Sequence, residues 1–204
     1  VHAAYGGPAG FRRFVDACHA AGLAVFLDVV YNHLGPDGDY LGEFGPYLTD
    51  RYATPWGRAV NLDGPGSDFV RAHILDNAEM WVAEFGVDGL RLDAVHALHD
   101  ASPVHILQEL VGRAARHGAV VVAETDLHQP ELVTRYGVDA MWADDLHHVI
   151  HVALTGETPG YLGGFQGLDR LATALHAGWL HDPDPAGLGG ERFVVCTQNH
   201  DQVG

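Results

Sequence analysis

Residues 23–30 (Leu-Ala-Val-Phe-Leu-Asp-Val-Val) form a nearly unbroken apolar run, the pattern of a parallel strand buried on both faces. Similar runs recur at 86–93, 119–124, 137–142 and 193–197. The stretches between them carry apolar residues at helical spacing, with start and stop signals at their ends. A first helix is expected over 8–21, with Pro8 in its first turn, Phe11, Phe14, Val15 and Cys18 on one face, and Gly22 as its stop. A second, over 68–85, opens at Ser67 as N-cap and presents Val70, Ile74, Ala78, Trp81, Val82 and Phe85 on one side. A third, over 103–117, has Ser102 as cap, Pro103 at its first position, a Leu107/Leu110/Val111/Ala114 stripe and Gly118 past its end. Shorter helices over 130–136 and 168–177 precede the last two strands.

Strand and helix alternating without hairpin signals predict an α/β protein with a parallel sheet and right-handed crossovers. An open doubly wound sheet and a closed barrel both satisfy that pattern. No glycine-rich phosphate fingerprint follows any strand, which weakens the dinucleotide-binding reading. Acidic residues and histidines instead gather at the C-terminal ends of several strands. In a (β/α)8 TIM barrel these ends converge on one mouth, so the barrel is the expected fold. One connection stands out. Residues 35–66 separate the first strand from its helix, and 11 of those 32 are Gly or Pro. A structureless loop of that length is usually functional. Its Tyr40, Phe44, Tyr47, Tyr52 and Trp56 either pack it onto the barrel or build an aromatic wall over the mouth.

Composition narrows the partners. The 204 residues include 11 Lys+Arg against 27 Asp+Glu, a formal net charge of −16 at pH 7. Nucleic acid and anionic membrane surfaces both need clustered cations, so neither is an expected partner. A neutral, polyhydroxylated substrate feels no such penalty. With 47% hydrophobic and 19% charged residues, disorder is excluded as the main state. No apolar run of membrane-spanning length and no signal-peptide pattern are visible. Cys18 and Cys196 read as small buried hydrophobes in a reducing, cytoplasmic compartment.

The strand ends carry the chemistry. Four segments matter: Asp28 to His33, Gly89 to His96, Ala123 to Asp126, and Gln198 to Asp201. Together they offer the carboxylates Asp93, Glu124 and Asp201, with Arg91 and several histidines close by. Side chains alternate along a strand, so Arg91 and Asp93 point to the same side. A guanidinium there would hold Asp93 ionised and oriented, as a nucleophile needs. Glu124 ends an apolar run near other carboxylates; burial and like charge both raise its pKa, which suits a general acid that later acts as base. Asp201 could hydrogen-bond substrate hydroxyls and stabilise positive charge at the reacting carbon. Two carboxylates in these roles are the equipment of a retaining glycosidase.

In order and spacing the four segments resemble the four conserved regions of the α-amylase superfamily, glycoside hydrolase family 13, and the long excursion resembles that family's inserted B domain in shortened form. The runs Asp28-Val-Val-Tyr-Asn-His-Leu-Gly-Pro, Leu90-Arg-Leu-Asp-Ala-Val-His-Ala, Asp144-Asp-Leu-His-His with Leu154-Thr-Gly-Glu-Thr, and Gln198-Asn-His-Asp-Gln-Val-Gly are similar to the branch acting on maltooligosyltrehalose. The resemblance implies Asp93 as nucleophile, Glu124 as proton donor, Asp201 as transition-state stabiliser and Arg91 as the nucleophile's partner. It implies that His33 and His200 hydrogen-bond the sugar before the cleaved bond, that Asn32 shapes that wall, and that His96 lines the following subsite. Asp28 would orient its neighbours. Asp144, Asp145, His147 and His148 would stand beside the cleft and determine specificity. The implied reaction hydrolyses the α-1,4 bond next to the terminal trehalose, with no cofactor and no metal. Some superfamily members bind calcium near the B domain, and Asn32 alone does not establish such a site.

Other readings stay open at this level: a debranching or branching enzyme of the same superfamily, a metal-dependent barrel hydrolase, or an inactive carbohydrate-binding protein. The pair His147/His151 has the spacing of helical metal ligands, but no glutamate lies between paired histidines as in a zinc motif. His99, His105, His117, His176 and His181 are read as solvated or capping, and the stretch from Asp182 to Gly190 as a flexible surface loop. A complete barrel takes about 250 residues, and the five strands match the third to seventh in the superfamily's order. Residues 1–204 are therefore expected to be the middle of a larger catalytic domain, inactive and poorly folded alone.

Overall fold

The computed structural model describes residues 1–180 and 187–201. In chain order, α1 (Gly7–Ala20) leads into β1 (Phe26–Val29), followed by a short α2 (Leu41–Phe44) and the strands β2 (Leu48–Thr54) and β3 (Gly57–Val60). Next come α3 (Ser67–Ala83), β4 (Gly89–Leu92), α4 (Ile106–Ala115), β5 (Val120–Glu124) and α5 (Glu131–Thr134). The last elements are β6 (Ala140–Ala143), α6 (Asp145–Thr155), α7 (Leu168–Ala177) and β7 (Phe193–Val195).

Five parallel strands make one sheet in the order β1-β4-β5-β6-β7. Each strand adds to the same side as its predecessor, so the sheet winds in one direction like a barrel wall; a doubly wound sheet would reverse. Its register lines up the residues that matter: Asp28 opposite Arg91, Glu124 opposite Trp142, and Ala143 opposite Val195. Alternation then sorts the faces. Leu90 and Leu92 join the core with Val121, Ala123, Val70, Ile74, Leu107 and Leu110, while Arg91 between them turns to the other face. At the start of β4, a Cβ at Gly89 would overlap the Phe26 ring as it stands, so any larger residue there would have to push that ring aside.

The excursion over 35–66 is not structureless. It holds α2 and an antiparallel β2–β3 hairpin whose turn, at Pro55 and Trp56, runs into Gly57 at φ 114°. Asn61 ties its base, donating from Nδ2 to the carbonyls of Pro46 (2.9 Å) and Pro65 (3.2 Å). A helix over Asp145–Thr155 also goes beyond the sequence pattern; it buries Leu146, His147, Val149 and Val152. Both expected serine caps differ. Ser67 lies inside α3 behind Gly66, at φ 76°, and makes no cap bond. α4 begins at Ile106, where the His105 ring accepts from Leu107 N (3.2 Å) and Gln108 Oε1 accepts from His105 N (3.2 Å), a reciprocal cap.

Ser102 is drawn instead into a buried ion cluster. Arg71 of α3 donates to Asp100 (2.6 Å), to Glu109 of α4, to Ser102 Oγ (3.3 Å) and to the carbonyls of Leu62 and Val104. This cluster binds the hairpin's foot to both helices. The expectations for His181 and for most of the stretch from Asp182 to Gly190 lie outside the described residues. Cys18 and Cys196 are free and partly buried. Among the described residues, no helix is long and apolar enough to cross a membrane.

Candidate active site

The strands β1, β4 and β5 bring Asp28, Asp93 and Glu124 together around Arg91. Its Nη1 donates to Asp93 Oδ1 at 2.7 Å and to Asp28 Oδ1 at 3.0 Å, and its Nη2 lies 3.9 Å from Glu124 Oε2. The guanidinium also lies 5.4 Å from the centroid of the Trp142 ring. Burial works against its charge, but the bonds to Asp93 and Asp28 outweigh that and raise its pKa further. Glu124 responds in the opposite sense for a carboxyl. Burial pushes its pKa up, repulsion from Asp93 and Asp144 adds to this, and the Ala94 amide and Arg91 only partly oppose it. Such a group keeps its proton into a higher pH range, as a general acid must.

Ala94 is the one non-glycine residue at positive φ among those described, at 38°. That left-handed conformation costs about 1–2 kcal/mol for an L-residue. It turns the chain sharply after Asp93 and aims the Ala94 N–H at Glu124 Oε2, 2.5 Å away. Strain at the site thus links the two carboxylates through two adjacent residues.

A second hub is Asp144, immediately after β6. Its Oδ1 accepts from Trp142 Nε1, from Asn199 Nδ2 and from the His147 ring, all at 2.9 Å. Burial works to raise its pKa, but the contacts with His147, Trp142 and His148 together outweigh burial and hold the carboxyl below the usual range. Asp145 turns elsewhere, accepting from Leu180 N at 2.7 Å and lying 3.3 Å from the His128 ring. His148 is half-buried against His147, Tyr161 and Phe165, and neither of its ring nitrogens has a hydrogen-bond partner among the described residues. Burial pushes its pKa down. These groups border a cavity of ≈ 300 Å³ lined by Trp142, Asp144, His148, Tyr161, Phe165 and Trp179.

The hairpin reaches over the strand ends. Trp56, at its tip, stacks on His33 with ring centroids 4.7 Å apart and planes within 10° of parallel, and its ring lies 6.3 Å from that of His96. His96 Nδ1 is 3.2 Å from Asp126 Oδ1. Asn32 is wholly buried, with its Oδ1 3.3 Å from His33 Nδ1, so it reaches the mouth only through that ring. Of the other excursion aromatics, Tyr52 bonds Asp63 (2.6 Å) and stacks on His99, while Tyr40 and Phe44 are exposed.

Not every expected residue joins the cluster. The Asp201 side chain is exposed; its amide donates to Asn199 Oδ1 (3.0 Å) and its carboxylate lies 3.4 Å from His200 Nε2, with no contact to Arg91, Asp93 or Glu124. His200 is exposed too. His151 pairs with Glu157 on the surface at 2.8 Å, away from His147. His117 lies 3.2 Å from Glu79, and His176 is exposed. Two site residues were given no role in the sequence reading. Trp142 lies in β6 two residues before Asp144, which follows that strand's end, the same spacing that pairs Arg91 with Asp93, and it was available as a signal. Asn199 meets Asp144 across 55 positions, and no local pattern announces that contact.

No family model matches the chain. Curated relatives do, along its full length. The malto-oligosyltrehalose trehalohydrolase of Rhizobium sp. (strain M-11) is 49% identical over 229 residues, covering 100% of this chain and 38% of the relative. The enzyme of the same name from Saccharolobus solfataricus is 45% identical over 221 residues, with 100% and 39% covered. A solved Salmonella typhimurium structure, of a protein of alpha-amylase type, superposes with a TM-score of 0.83 at 34% identity, over 100% of this chain and 38% of that one. The chain therefore spans well under half the length of the curated relatives it matches.

Proposed function

The chain belongs to the malto-oligosyltrehalose trehalohydrolases of the α-amylase superfamily, and from that premise we propose that the whole protein hydrolyses the α-1,4-glucosidic bond next to the terminal trehalose of maltooligosyltrehalose, releasing trehalose. One observation carries the mechanism: a single guanidinium, that of Arg91, touches Asp93 at 2.7 Å and approaches Glu124 at 3.9 Å. Glu124, whose pKa burial raises, gives its proton to the glycosidic oxygen as that bond breaks. Asp93, oriented by Arg91, bonds to the anomeric carbon and forms a glycosyl-enzyme. The Glu124 carboxylate then takes a proton from water, whose oxygen displaces Asp93 from the same carbon, so configuration is retained overall.

In this reading Asp201 swings toward the sugar to stabilise charge at the reacting carbon, carried by the Asn199 clamp beside it. His33, stacked on Trp56, and His96 and His200 meet sugar hydroxyls at the mouth, with Asn32 behind His33. Asp144, Asp145, His147 and His148 shape the cavity that takes the trehalose unit. No cofactor is required, and a cytoplasmic location fits two free cysteines.

The test uses the full-length protein with maltooligosyltrehalose and, separately, with glycogen. Trehalose and a shortened maltooligosaccharide are expected from the first, with activity surviving exhaustive chelation. Branch transfer or α-1,6 cleavage on glycogen without trehalose release would overturn the substrate assignment. Loss of activity on chelation would favour a metal-dependent hydrolase.

A further inference from the structure

We propose that Asp144, His147 and Cys196 form a binding site for a soft divalent cation of the zinc class, at the edge of the cavity beside Glu124. Three different elements bring the donors together. Ala143 pairs with Val195, so Asp144 and Cys196 are the next residues on two adjacent parallel strands, and His147 comes from the first turn of α6. One ligand atom from each lies within 4.8 Å of the other two. Sheet and helix hold all three, and His147 is nearly fully buried.

The donor types decide the class of ion. A thiolate, an imidazole and a carboxylate suit zinc and its softer neighbours, whereas calcium and magnesium take oxygen ligands throughout. Three protein ligands leave a fourth position, and one of the three, Asp144, also lines the ≈ 300 Å³ cavity. The outer shell is already built. Trp142 Nε1 and Asn199 Nδ2 each donate to Asp144 Oδ1 at 2.9 Å, which leaves Oδ2 for the ion, and Asn199 Nδ2, 3.4 Å from His147 Nε2, must draw back as the ion enters. His147 Nε2 and Asp144 Oδ1 stand 2.9 Å apart as a hydrogen-bonded pair, so they must part slightly to share a metal. Binding displaces the Cys196 thiol proton, and any proton on His147 Nε2, into solvent; no electrons are transferred.

Occupancy would also act on the neighbouring chemistry, a consequence that rests on the function proposed above. Asp144 lines the cavity, so a dication held on it narrows that space and the bound ion inhibits.

The experiment titrates the reduced, chelator-treated full-length protein with Co²⁺ and then Zn²⁺. A thiolate-to-cobalt absorption band is expected at one equivalent, bleached by zinc. It should be lost in Cys196→Ser and in Cys196→Ala, with zinc affinity weakened about ten-fold or more. These variants should keep metal-free turnover and resist zinc, which inhibits the unaltered enzyme reversibly. Absence of the band, or its persistence in both variants, would overturn the site. Because the band is read without substrate, it separates failure of this site from failure of the proposed reaction.

Discussion

Glu124 shows how single residues set the chemistry. Burial raises its pKa first, and the charges on Asp93 and Asp144 add to that. Removing the Asp144 charge alone must therefore lower it while leaving burial in place. We expect Asp144→Asn to move the alkaline limb of the kcat/KM profile to lower pH, measured on maltooligosyltrehalose with the full-length enzyme. An unchanged limb, or one moved to higher pH, would contradict the assignment of Glu124 as the acid. Arg91 has the complementary part. It neutralises several neighbours at once, so its loss would leave Asp28, Asp93 and Glu124 facing one another without a cation between them.

Between elements, the Arg71 cluster does for the scaffold what Arg91 does for the site. The Asp100 side chain is fully buried; burial works to raise its pKa, but bonds from Ser102, Arg71 and the Ile106 amide outweigh that and lower it. Replacing Asp100 by Ala removes one of the two carboxylates that Arg71 bonds, leaving Glu109, and also leaves the Ser102 and Ile106 amides without their acceptor, so it is expected to destabilise the full-length protein by about 1–3 kcal/mol in denaturant unfolding. The sign with pH follows from the direction of the shift. The contribution of Asp100 is fully present above its unfolded pKa and fades as pH falls through the lower folded value, so the gap between the two proteins should narrow in acid. A variant as stable as the parent near neutrality would contradict this account of how the hairpin's foot is joined to the helices.

The same scale explains what could be read in advance. The strands were legible because burial on both faces leaves them apolar, and the Arg91/Asp93 pair was legible because alternation over two residues is local. The serine caps were misplaced because tertiary partners compete for them: Ser102 serves Arg71, and His105 takes its place at the helix. The hairpin was hidden among glycines, prolines and polar residues, whose stabilisation comes from Asn61 and the barrel wall and not from an apolar face of its own. α6 was hidden because His147, on its buried face, reads as chemistry before it reads as core. The Asp144 hub depends on Asn199, which only the folded sheet brings near.

At the scale of the whole chain, these 204 residues carry a net charge of −16, which bears on how ligands approach the site they hold. Steering by that field would slow an anionic ligand and hasten a cationic one, each strongly salt-dependent, but it leaves a neutral glucan untouched. The kcat/KM for maltooligosyltrehalose should therefore vary by less than about twofold between low and high salt, whereas a steep dependence would point to a charged substrate. The one-way winding of the sheet and the structural match along the whole of this chain make it part of a barrel wall.

The central claim is that Asp93, held by Arg91 beside a protonated Glu124, is the nucleophile of a trehalose-releasing hydrolase. It is tested most directly by the turnover of Asp93→Asn in the full-length enzyme on maltooligosyltrehalose, with its melting temperature measured alongside. The account predicts a folded protein whose kcat falls by about three orders of magnitude or more. A folded variant that releases trehalose at the parent's rate would contradict it.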